Sequence, residues 1–273
     1  MTTASADPSV AVVTGGASGI GLAFAHAYAE RGLRVVIADI DDAALQQARQ
    51  DLTEVGGEVD CVTVDLRDAA SLAHLGEVAT GIGRVAAVCL NAGVTSAGSP
   101  IWDTPQETVD FLIDVNLRGL YRSVAAFVPR LIAQDGRADL IITASMAGMV
   151  ASPYSAAYAA SKAGAVALAK ALRAELQTVA PAIRCVLLNP GMVKTNLIRT
   201  SAARQPTAAR MADDLVAGSH EALNLAGVPP REAVSWALQA AEENRFWALP
   251  PSGDPFTAML DVELDELRRA MGQ

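Results

Sequence analysis

Short runs of apolar and β-branched residues alternate along the chain with longer segments in which apolar positions recur every three or four residues. The short runs predict strands at residues 10–14, 34–38, 58–65, 85–90, 140–143, 183–188 and, with a weaker signal, 246–249. The longer segments predict helices at residues 20–28, 42–55, 68–80, about 104–132, 155–179 and 231–244. This alternation is typical of βαβ units, so we predict an α/β fold with a doubly wound parallel sheet of about seven strands and helices on both faces.

The chain shows no linker between two domains, and we predict one catalytic domain over residues 1–273. Residues 194–228 are polar at first and have no clear partner strand, which predicts a substrate lid. Residues 252–273 are predicted to form a C-terminal helical extension with apolar positions at helical spacing, Phe256, Leu260, Leu264, Leu267 and Met271. This stripe either packs on its own subunit or forms a dimer contact or a pocket cover.

Composition and charge disfavour several classes of partner. The 273 residues are 51% hydrophobic and 19% charged, as expected for a compact globular protein. With 21 Lys and Arg against 30 Asp and Glu, the formal net charge is -9, which disfavours binding to nucleic acid or anionic membranes. The uncharged run at residues 140–161 contains too many hydroxyl groups for a lipid-exposed helix. No signal-peptide pattern is visible, so we expect a cytoplasmic protein with no membrane partner.

The cysteines and histidines offer no metal or disulfide chemistry. Cys61, Cys89 and Cys185 each lie within apolar or β-branched runs, and we interpret them as core thiols. The three histidines are far apart in sequence and have no metal-ligand spacing. Metal catalysis therefore has no support in the sequence.

A glycine-rich segment follows the first predicted strand and opens the first predicted helix. Glycines at this place allow a tight turn and let the backbone approach a pyrophosphate, whose charge then lies at the positive end of the helix. The alternative is a glycine-rich turn with no ligand. Because a strand and a helix flank the segment, we predict cofactor contacts at Gly15, Ser18, Gly19, Ile20 and Gly21.

Further candidate residues follow the predicted strands at the edge of the sheet where ligands bind in open α/β folds. Asp39 comes after the second strand, 18 residues beyond Gly21, where an acid accepts hydrogen bonds from the hydroxyls of an adenosine ribose. Asp39 could instead cap the next helix, but we assign that role to Asp41 or Asp42. The ends of the third and fourth strands add the cofactor contacts Asp65, Leu66, Asn91, Ala92 and Gly93.

A second group of residues centres on the long helix predicted at residues 155–179. Tyr158 and Lys162 are four residues apart on it, so their side chains face the same way, and Ser145 follows the preceding strand. A phenol is a poor base at pH 7, so its surroundings must stabilise the phenolate by about 4 kcal/mol. An adjacent ammonium and a cationic nicotinamide can do so. The Tyr-x-x-x-Lys spacing is common by itself, and the glycine segment upstream makes it specific.

Together, these motifs resemble the classical short-chain dehydrogenase/reductase family over about residues 10–195. The resemblance implies a Rossmann-type fold in which Tyr158 is the general acid/base, while Lys162 lowers its pKa and holds the nicotinamide ribose. It also implies that Ser145 orients the substrate oxygen and that Asn116 holds a proton-relay water. The turn after the sixth strand resembles the family segment that contacts the nicotinamide carboxamide, which adds the contacts Pro190, Gly191, Val193 and Thr195.

The chain departs from the family pattern in two places. Leu90 stands before Asn91 where family members often have a second asparagine, and we interpret this as a change in a core contact. Residues 245–251 replace the glycine-rich strand that supports tetramer packing in many members. We expect a homo-oligomer, and because of this replacement we leave open whether it is a homodimer or a homotetramer.

The residues predict an oxidoreductase that transfers hydride between NAD and a secondary alcohol or ketone, with Tyr158 moving the hydroxyl proton. The carboxylate of Asp39 would repel the 2′-phosphate of NADP, and Ser18 and Ile40 are neutral where NADP-preferring relatives carry Arg or Lys. Two alternatives remain: a dehydratase or epimerase that uses the cofactor without net redox change, and a non-catalytic dinucleotide-binding protein.

The substrate is predicted only as a class of small molecule. A mostly apolar set of candidate pocket walls favours a hydrophobic alcohol or ketone, and it comprises Trp102, Met146, Met149, Tyr154 and Met192 together with the lid. Arg199 or Arg204 on the lid could still bind a substrate carboxylate.

Overall fold

The computed structural model describes residues 8–96, 98–206 and 211–272. In these ranges seven parallel strands form one sheet: β1 (Ser9–Thr14), β2 (Arg34–Asp39), β3 (Val59–Thr63), β4 (Arg84–Leu90), β5 (Ala138–Thr143), β6 (Ile183–Leu188) and β7 (Trp247–Ala248). Their order across the sheet is β3-β2-β1-β4-β5-β6-β7. This order confirms the predicted doubly wound, Rossmann-type fold.

Ten α-helices lie within the described ranges: α1 (Gly19–Ala29), α2 (Asp42–Glu54), α3 (Ala69–Ile82), α4 (Gln106–Ile113), α5 (Gly119–Ala133), α6 (Ala156–Val179), α7 (Leu197–Arg204), α8 (Asp213–Ala226), α9 (Pro230–Glu242) and α10 (Pro255–Ala270). A π-helical stretch, Asp114–Arg118, joins α4 to α5, where the sequence predicts one helix over about residues 104–132. No helix of the described ranges has both the length and the apolar character needed to cross a membrane.

The sheet is buried on both faces, because its strands carry apolar side chains on both sides. One face packs against α3, α5 and α6 through side chains that include Leu72, Phe127 and Leu172. The other packs against α1, α2 and α9 through side chains that include Phe24 and Leu45. These two layers leave the carboxyl edge of the sheet open for a ligand.

The aspartates that cap α2 and α3 are not Asp39 and Asp65, the two aspartates predicted to contact a cofactor. The side chain of Asp41 accepts a hydrogen bond from the backbone N–H of Ala44 at 3.0 Å and so caps α2. Asp68 caps α3 in the same way, by accepting from the N–H of Ala70 at 2.9 Å. The prediction that Asp41 or Asp42, rather than Asp39, caps the next helix is confirmed for Asp41.

Two helices, α7 and α8, lie in the segment predicted as a lid. The buried residues of α7, Ser201 and Ala202, are small, which is why no strong apolar periodicity marks it in the sequence. Ser201 Oγ accepts a hydrogen bond from the N–H of Thr95 at 3.0 Å, and Gln205 Nε2 donates to the carbonyl of Thr95 at 3.3 Å. A bridge between Val193 and Val228 holds the two ends of the segment together.

The C-terminal extension forms α10, and no residue of this helix is buried. Its first turn approaches the cleft side of the sheet, because a Cβ added to Gly191 would lie 3.1 Å from Phe256 Cδ2. Further along, Met259, Val262 and Leu267 are exposed. The start of the apolar stripe therefore contacts its own subunit at Phe256, while its exposed remainder leaves the dimer contact and the pocket cover open.

Candidate active site

A cleft of about 630 Å³ opens at the carboxyl ends of strands β1 to β6. It crosses the point between β1 and β4 where the strand order reverses, which is where ligands bind in doubly wound sheets. Its volume is in the range of sites for cofactors and small molecules.

Most of the residues predicted to contact a cofactor line this cleft. They are Gly15, Ser18, Gly19, Ile20, Asp39, Asp65, Leu66, Asn91, Ala92, Gly93, Tyr158, Lys162, Pro190, Gly191, Val193 and Thr195. Gly21 instead lies beneath the turn, where a Cβ would collide with the carbonyl group of Gly15. Gly15 has a φ of +64°, and a Cβ there would lie 2.9 Å from Ala92 Cα. The backbone of the loop is therefore bare at the start of α1, as a pyrophosphate site requires.

Thr14 organises the floor of the cleft and was not singled out as a contact by the sequence. Its buried Oγ1 accepts hydrogen bonds from the backbone N–H groups of Asn91 at 3.0 Å and Ala92 at 3.2 Å. The same hydroxyl donates to the carbonyl of Cys89 at 3.3 Å. Thr14 thus ties the end of β1 to the segment after β4, and its place directly before Gly15 is the signal that could have revealed it.

Asp39 and Asp65, which follow β2 and β3 at one end of the cleft, have different surroundings. Asp39 Oδ1 accepts a hydrogen bond from the backbone N–H of Asp41 at 3.2 Å and lies 3.8 Å from Arg204 Nη2. The side chain of Asp65 pairs with Arg67 at 2.7 Å, and this hydrogen bonding holds the pKa of Asp65 below its usual value. Asp39 keeps oxygen lone pairs available to a ligand, whereas Asp65 is engaged by Arg67.

The reactive group lies on the cleft side of α6. The Lys162 ammonium is 5.9 Å from the centre of the Tyr158 ring, and Nζ donates to the carbonyl of Thr143 at 3.4 Å. Ser145 is fixed at the end of β5 because its Oγ accepts a hydrogen bond from the N–H of Ala147 at 3.1 Å. The structure therefore brings together three of the four residues predicted to be catalytic.

Burial dominates the ionisation of this group. It raises the pKa of Tyr158, and a hydrogen bond with the Ser145 side chain opposes that change. Burial lowers the pKa of Lys162 to about 8, because an ammonium loses its hydration there. At pH 7 the phenol is therefore neutral and the ammonium is still mostly protonated in the cofactor-free protein.

Asn116, the fourth predicted catalytic residue, lies in the π-helical stretch and is almost fully buried. Its Oδ1 accepts from the N–H of Val94 at 2.8 Å, while Nδ2 donates to the carbonyl of Val94 at 2.8 Å and to Ser161 Oγ at 3.0 Å. The Ser161 hydroxyl donates in turn to the carbonyl of Tyr158 at 2.7 Å. The amide therefore ties the segment after β4 to α6, and it is not among the groups that line the cleft.

The five individual residues predicted as substrate walls do not line the cleft. Trp102 and Tyr154 are 81% and 61% exposed, whereas Met146 is fully buried, and neither Met149 nor Met192 is among the described residues that line the cleft. These five residues therefore do not form the walls as predicted, because Met146 turns into the core and Trp102 and Tyr154 turn out to solvent. The lid, the other predicted wall, does line the cleft. The apolar lining comes from two residues of the lid, Leu197 and Leu223, and from Val94, Phe111 and Val115, which the sequence did not single out.

The comparison with protein families decides the identity of the chain. The family model of the short chain dehydrogenases matches residues 9–206. The chain belongs to the short-chain dehydrogenase family. A 1-deoxy-11-beta-hydroxypentalenate dehydrogenase from Streptomyces exfoliatus is 42% identical over 191 residues, 69% of this chain and 69% of the relative. A CLA biosynthesis dehydrogenase/reductase from Lactiplantibacillus plantarum is 30% identical over 249 residues, 88% of this chain and 87% of the relative.

Solved structures agree with this assignment. A short-chain dehydrogenase/reductase from Burkholderia phymatum, in complex with NAD, superposes with a TM-score of 0.88 at 29% identity and covers 97% of this chain and 95% of its own. The apo form of LigO from Sphingobium sp. strain SYK-6 has a TM-score of 0.79 at 30% identity, with 96% and 88% covered. This short-chain dehydrogenase is therefore an oxidoreductase of a family that binds nicotinamide dinucleotides and acts on small molecules.

The chemistry of the cleft fits such a cofactor. A glycine turn without side chains lies at the positive end of α1, as a pyrophosphate site requires, and Asp39 offers carboxylate oxygens of the kind that accept from hydroxyl groups. At the other end the buried Lys162 ammonium is a donor beside Tyr158. No group of three or more His, Cys, Asp or Glu side chains in the described part of the chain could hold a metal ion.

Proposed function

We propose that this short-chain dehydrogenase transfers hydride between NAD and a secondary alcohol or ketone, with Tyr158 as the general acid/base. One observation carries the proposal: a single cleft joins a glycine turn and a ribose-accepting acid at one end to Ser145, Tyr158 and Lys162 at the other. Bound NAD would supply the hydride acceptor, and the chain's own residues would orient the substrate and move the proton.

The proton path runs through the side chains of α6 and β5. Ser145, held by the Ala147 N–H, hydrogen-bonds to the substrate oxygen, and Tyr158 takes or returns the proton of the hydroxyl. Lys162 stabilises the phenolate electrostatically and holds the nicotinamide ribose. The side-chain amide of Asn116 already hydrogen-bonds to Val94, so we assign the relay water to the backbone of Asn116. This backbone lies in a π-helical stretch, and such stretches are frequent at functional sites.

The remaining contacts follow the cleft from one end to the other. The loop residues 15–21 receive the pyrophosphate, Asp39 the adenosine ribose, and residues 65–66 and 91–93 the adenine and the centre of the cofactor. Pro190, Gly191, Val193 and Thr195 lie on the side of β6 and contact the nicotinamide carboxamide. The cytoplasmic location expected from the sequence stays a prediction.

A panel of alcohols with NAD tests the reaction. The apolar lining of the cleft supports hydrophobic secondary alcohols as substrates. The panel includes 1-deoxy-11-beta-hydroxypentalenate, the compound in the name of the Streptomyces exfoliatus relative. Net appearance of reduced cofactor supports the proposal. Turnover without net redox change supports a dehydratase or epimerase, and cofactor binding with no turnover across the panel supports a non-catalytic binding protein.

NAD is expected to exceed NADP in catalytic efficiency by more than roughly tenfold, because Asp39 repels a 2′-phosphate and bonds only to the free hydroxyls. Asp39→Ala should reduce this preference, as measured by initial rates with both coenzymes at matched concentrations. Equal efficiencies in the wild type would contradict this expectation. A preference for NADP that survives Asp39→Ala would show that Asp39 points away from the ribose.

We propose that residues 194–228 act as a substrate lid. In this segment α8 buries only His220, so few apolar contacts resist its opening. Hydrogen exchange of the amides in α7 and α8 should slow when cofactor and substrate are both bound, while those of β4 should stay equally slow. Equal exchange of α7 and α8 with and without ligands would identify the segment as a fixed part of the fold.

We also propose that the chain assembles as a homodimer or homotetramer, supported by the uncovered apolar stripe of α10. Leu267→Glu should shift sedimentation of the full chain towards the monomer, whereas Glu266→Gln on the same turn should not. A monomeric wild type would contradict the proposal.

A further inference from the structure

Arg204, the last residue of α7, reaches the adenosine end of the cleft. Its Nη2 lies 3.3 Å from Asp41 Oδ2 and 3.8 Å from Asp39 Oδ1. Asp39 is largely buried, with 11% of its side chain exposed, while Arg204 is 34% exposed. The lid segment therefore places a guanidinium next to the acid that ends β2, although 165 positions separate Arg204 from Asp39 in the sequence.

The position of Arg204 is set by its neighbours on α7. Ser201 and Gln205 are both buried, and both hydrogen-bond to the backbone of Thr95 after β4. Gln205 Oε1 also accepts a hydrogen bond from the N–H of Met211 at 3.0 Å. The turn of helix that carries Arg204 is thus held against the segment after β4 in the cofactor-free protein, and the guanidinium at its end lies beside Asp39 and Asp41.

The charges at this end of the cleft make Arg204 distinctive. Arg67, another cation of the lining, is engaged by Asp65 at 2.7 Å. The ion pair that the described residues offer to Asp39 is with Arg204. Arg204 also pairs with Asp41 at 3.3 Å, and Asp41 and Asp42 line the same end of the cleft. A ligand group beside Asp39 therefore meets carboxylates and a guanidinium together, rather than carboxylates alone.

We propose that Arg204 is a specificity-determining residue for the coenzyme, one that limits the discrimination that Asp39 imposes against a 2′-phosphate. The inference rests on the proposed function, since it takes Asp39 to face the adenosine ribose. A 2′-phosphate carries about two negative charges, and a guanidinium forms charge-assisted hydrogen bonds with it. NAD has a neutral hydroxyl at that position and gains little from the same cation. Arg204 therefore improves the binding of NADP more than that of NAD and makes NADP a usable second coenzyme.

The test is binding without turnover. Calorimetry measures the Kd of NADH, NADPH, AMP and adenosine 2′,5′-bisphosphate for the wild type, Arg204→Gln and Arg199→Gln. Arg199 is an exposed arginine of the same helix with no ion pair among the described residues, so it matches the charge change. Arg204→Gln should weaken NADPH and the bisphosphate about tenfold and leave NADH and AMP nearly unchanged. Arg199→Gln should change none of the four, and Arg204→Lys should retain part of the NADPH affinity.

Three outcomes overturn the inference. Equal weakening of NADH and NADPH by Arg204→Gln would mean that Arg204 only holds the lid in place. Unchanged affinities for both coenzymes would mean that its guanidinium does not reach the 2′ position. An equal effect of Arg199→Gln would mean that net charge alone is at work.

Asp39→Ala separates this inference from the proposed function. If that variant fails to improve NADPH binding, Asp39 does not face the ribose, and the coenzyme part of the proposed function fails. If Asp39→Ala improves NADPH binding but Arg204→Gln leaves the ratio unchanged, only the role of Arg204 is wrong.

Discussion

Tyr158→Phe is expected to lower kcat/KM by roughly 10²–10⁴-fold while NADH still binds. The Tyr158 phenol lies next to both Ser145 and Lys162 in the cleft, so we expect it to transfer the proton. Phenylalanine keeps the ring but loses the hydroxyl. Initial rates measure the first effect, and calorimetric titration with NADH measures the second. Because the ring and its packing remain, a loss of turnover would report proton transfer rather than a collapsed site.

Tyr121→Phe is the matched control for this substitution. Tyr121 is an exposed tyrosine of α5, 67% accessible, so the same hydroxyl is removed from a place outside the cleft. Its kcat/KM should stay near the wild-type value. Near-native turnover by Tyr158→Phe, or an equal loss in both variants, would rule out Tyr158 as the general acid/base.

Lys162→Met is expected to reduce kcat/KM by about 10²-fold or more and, at the same time, to stabilise the cofactor-free protein at pH 7 by roughly 3 kcal/mol. Burial lowers the pKa of Lys162 to about 8 from an ordinary value of 10.5, so the folded state destabilises the ammonium. Below pH 8 the folded and unfolded states both bind this proton, and the full cost of burying the charge is present. Methionine has a similar length and no charge, which removes that cost.

The pH dependence of stability distinguishes this explanation from a gain in packing. As pH rises from about 8 to about 10.5, the folded protein releases the Lys162 proton before the unfolded chain does, so the wild type recovers stability. The advantage of Lys162→Met in denaturant unfolding should therefore shrink across that range. Lys170→Met, at an exposed position of α6, should alter neither activity nor this pH dependence. A lower unfolding free energy of Lys162→Met at pH 7 would show that the contact with Thr143 outweighs the desolvation of the ammonium.

The sequence by itself determined the features that depend on near neighbours along the chain. Buried parallel strands are apolar on both faces, so each appears as a short β-branched run between turn residues, and the observed bounds differ from the predicted ones by only a few residues. The turn before α1 requires a φ of +64° at Gly15, which glycine adopts readily, so a glycine-rich segment in the sequence predicts this turn. Tyr158 and Lys162 share one face because four residues are about one turn of helix. The family resemblance rested on these same local patterns, and the match over residues 9–206 confirms it.

Only the tertiary structure decided the contacts between residues that are distant in sequence. Periodicity shows which side of an element is buried, but not which crossover brings another element against it. The Asn116 amide hydrogen-bonds to Val94 and Ser161, and Arg204 lies beside Asp39. No local sequence pattern predicts either contact. The helix α7 buries only the small residues Ser201 and Ala202, and Ser201 bonds to the backbone of the segment after β4, so the helix has little hydrophobic periodicity to detect. The lowered pKa of Lys162 likewise depends on desolvation by surrounding elements, which exists only once the sheet and its helices have packed.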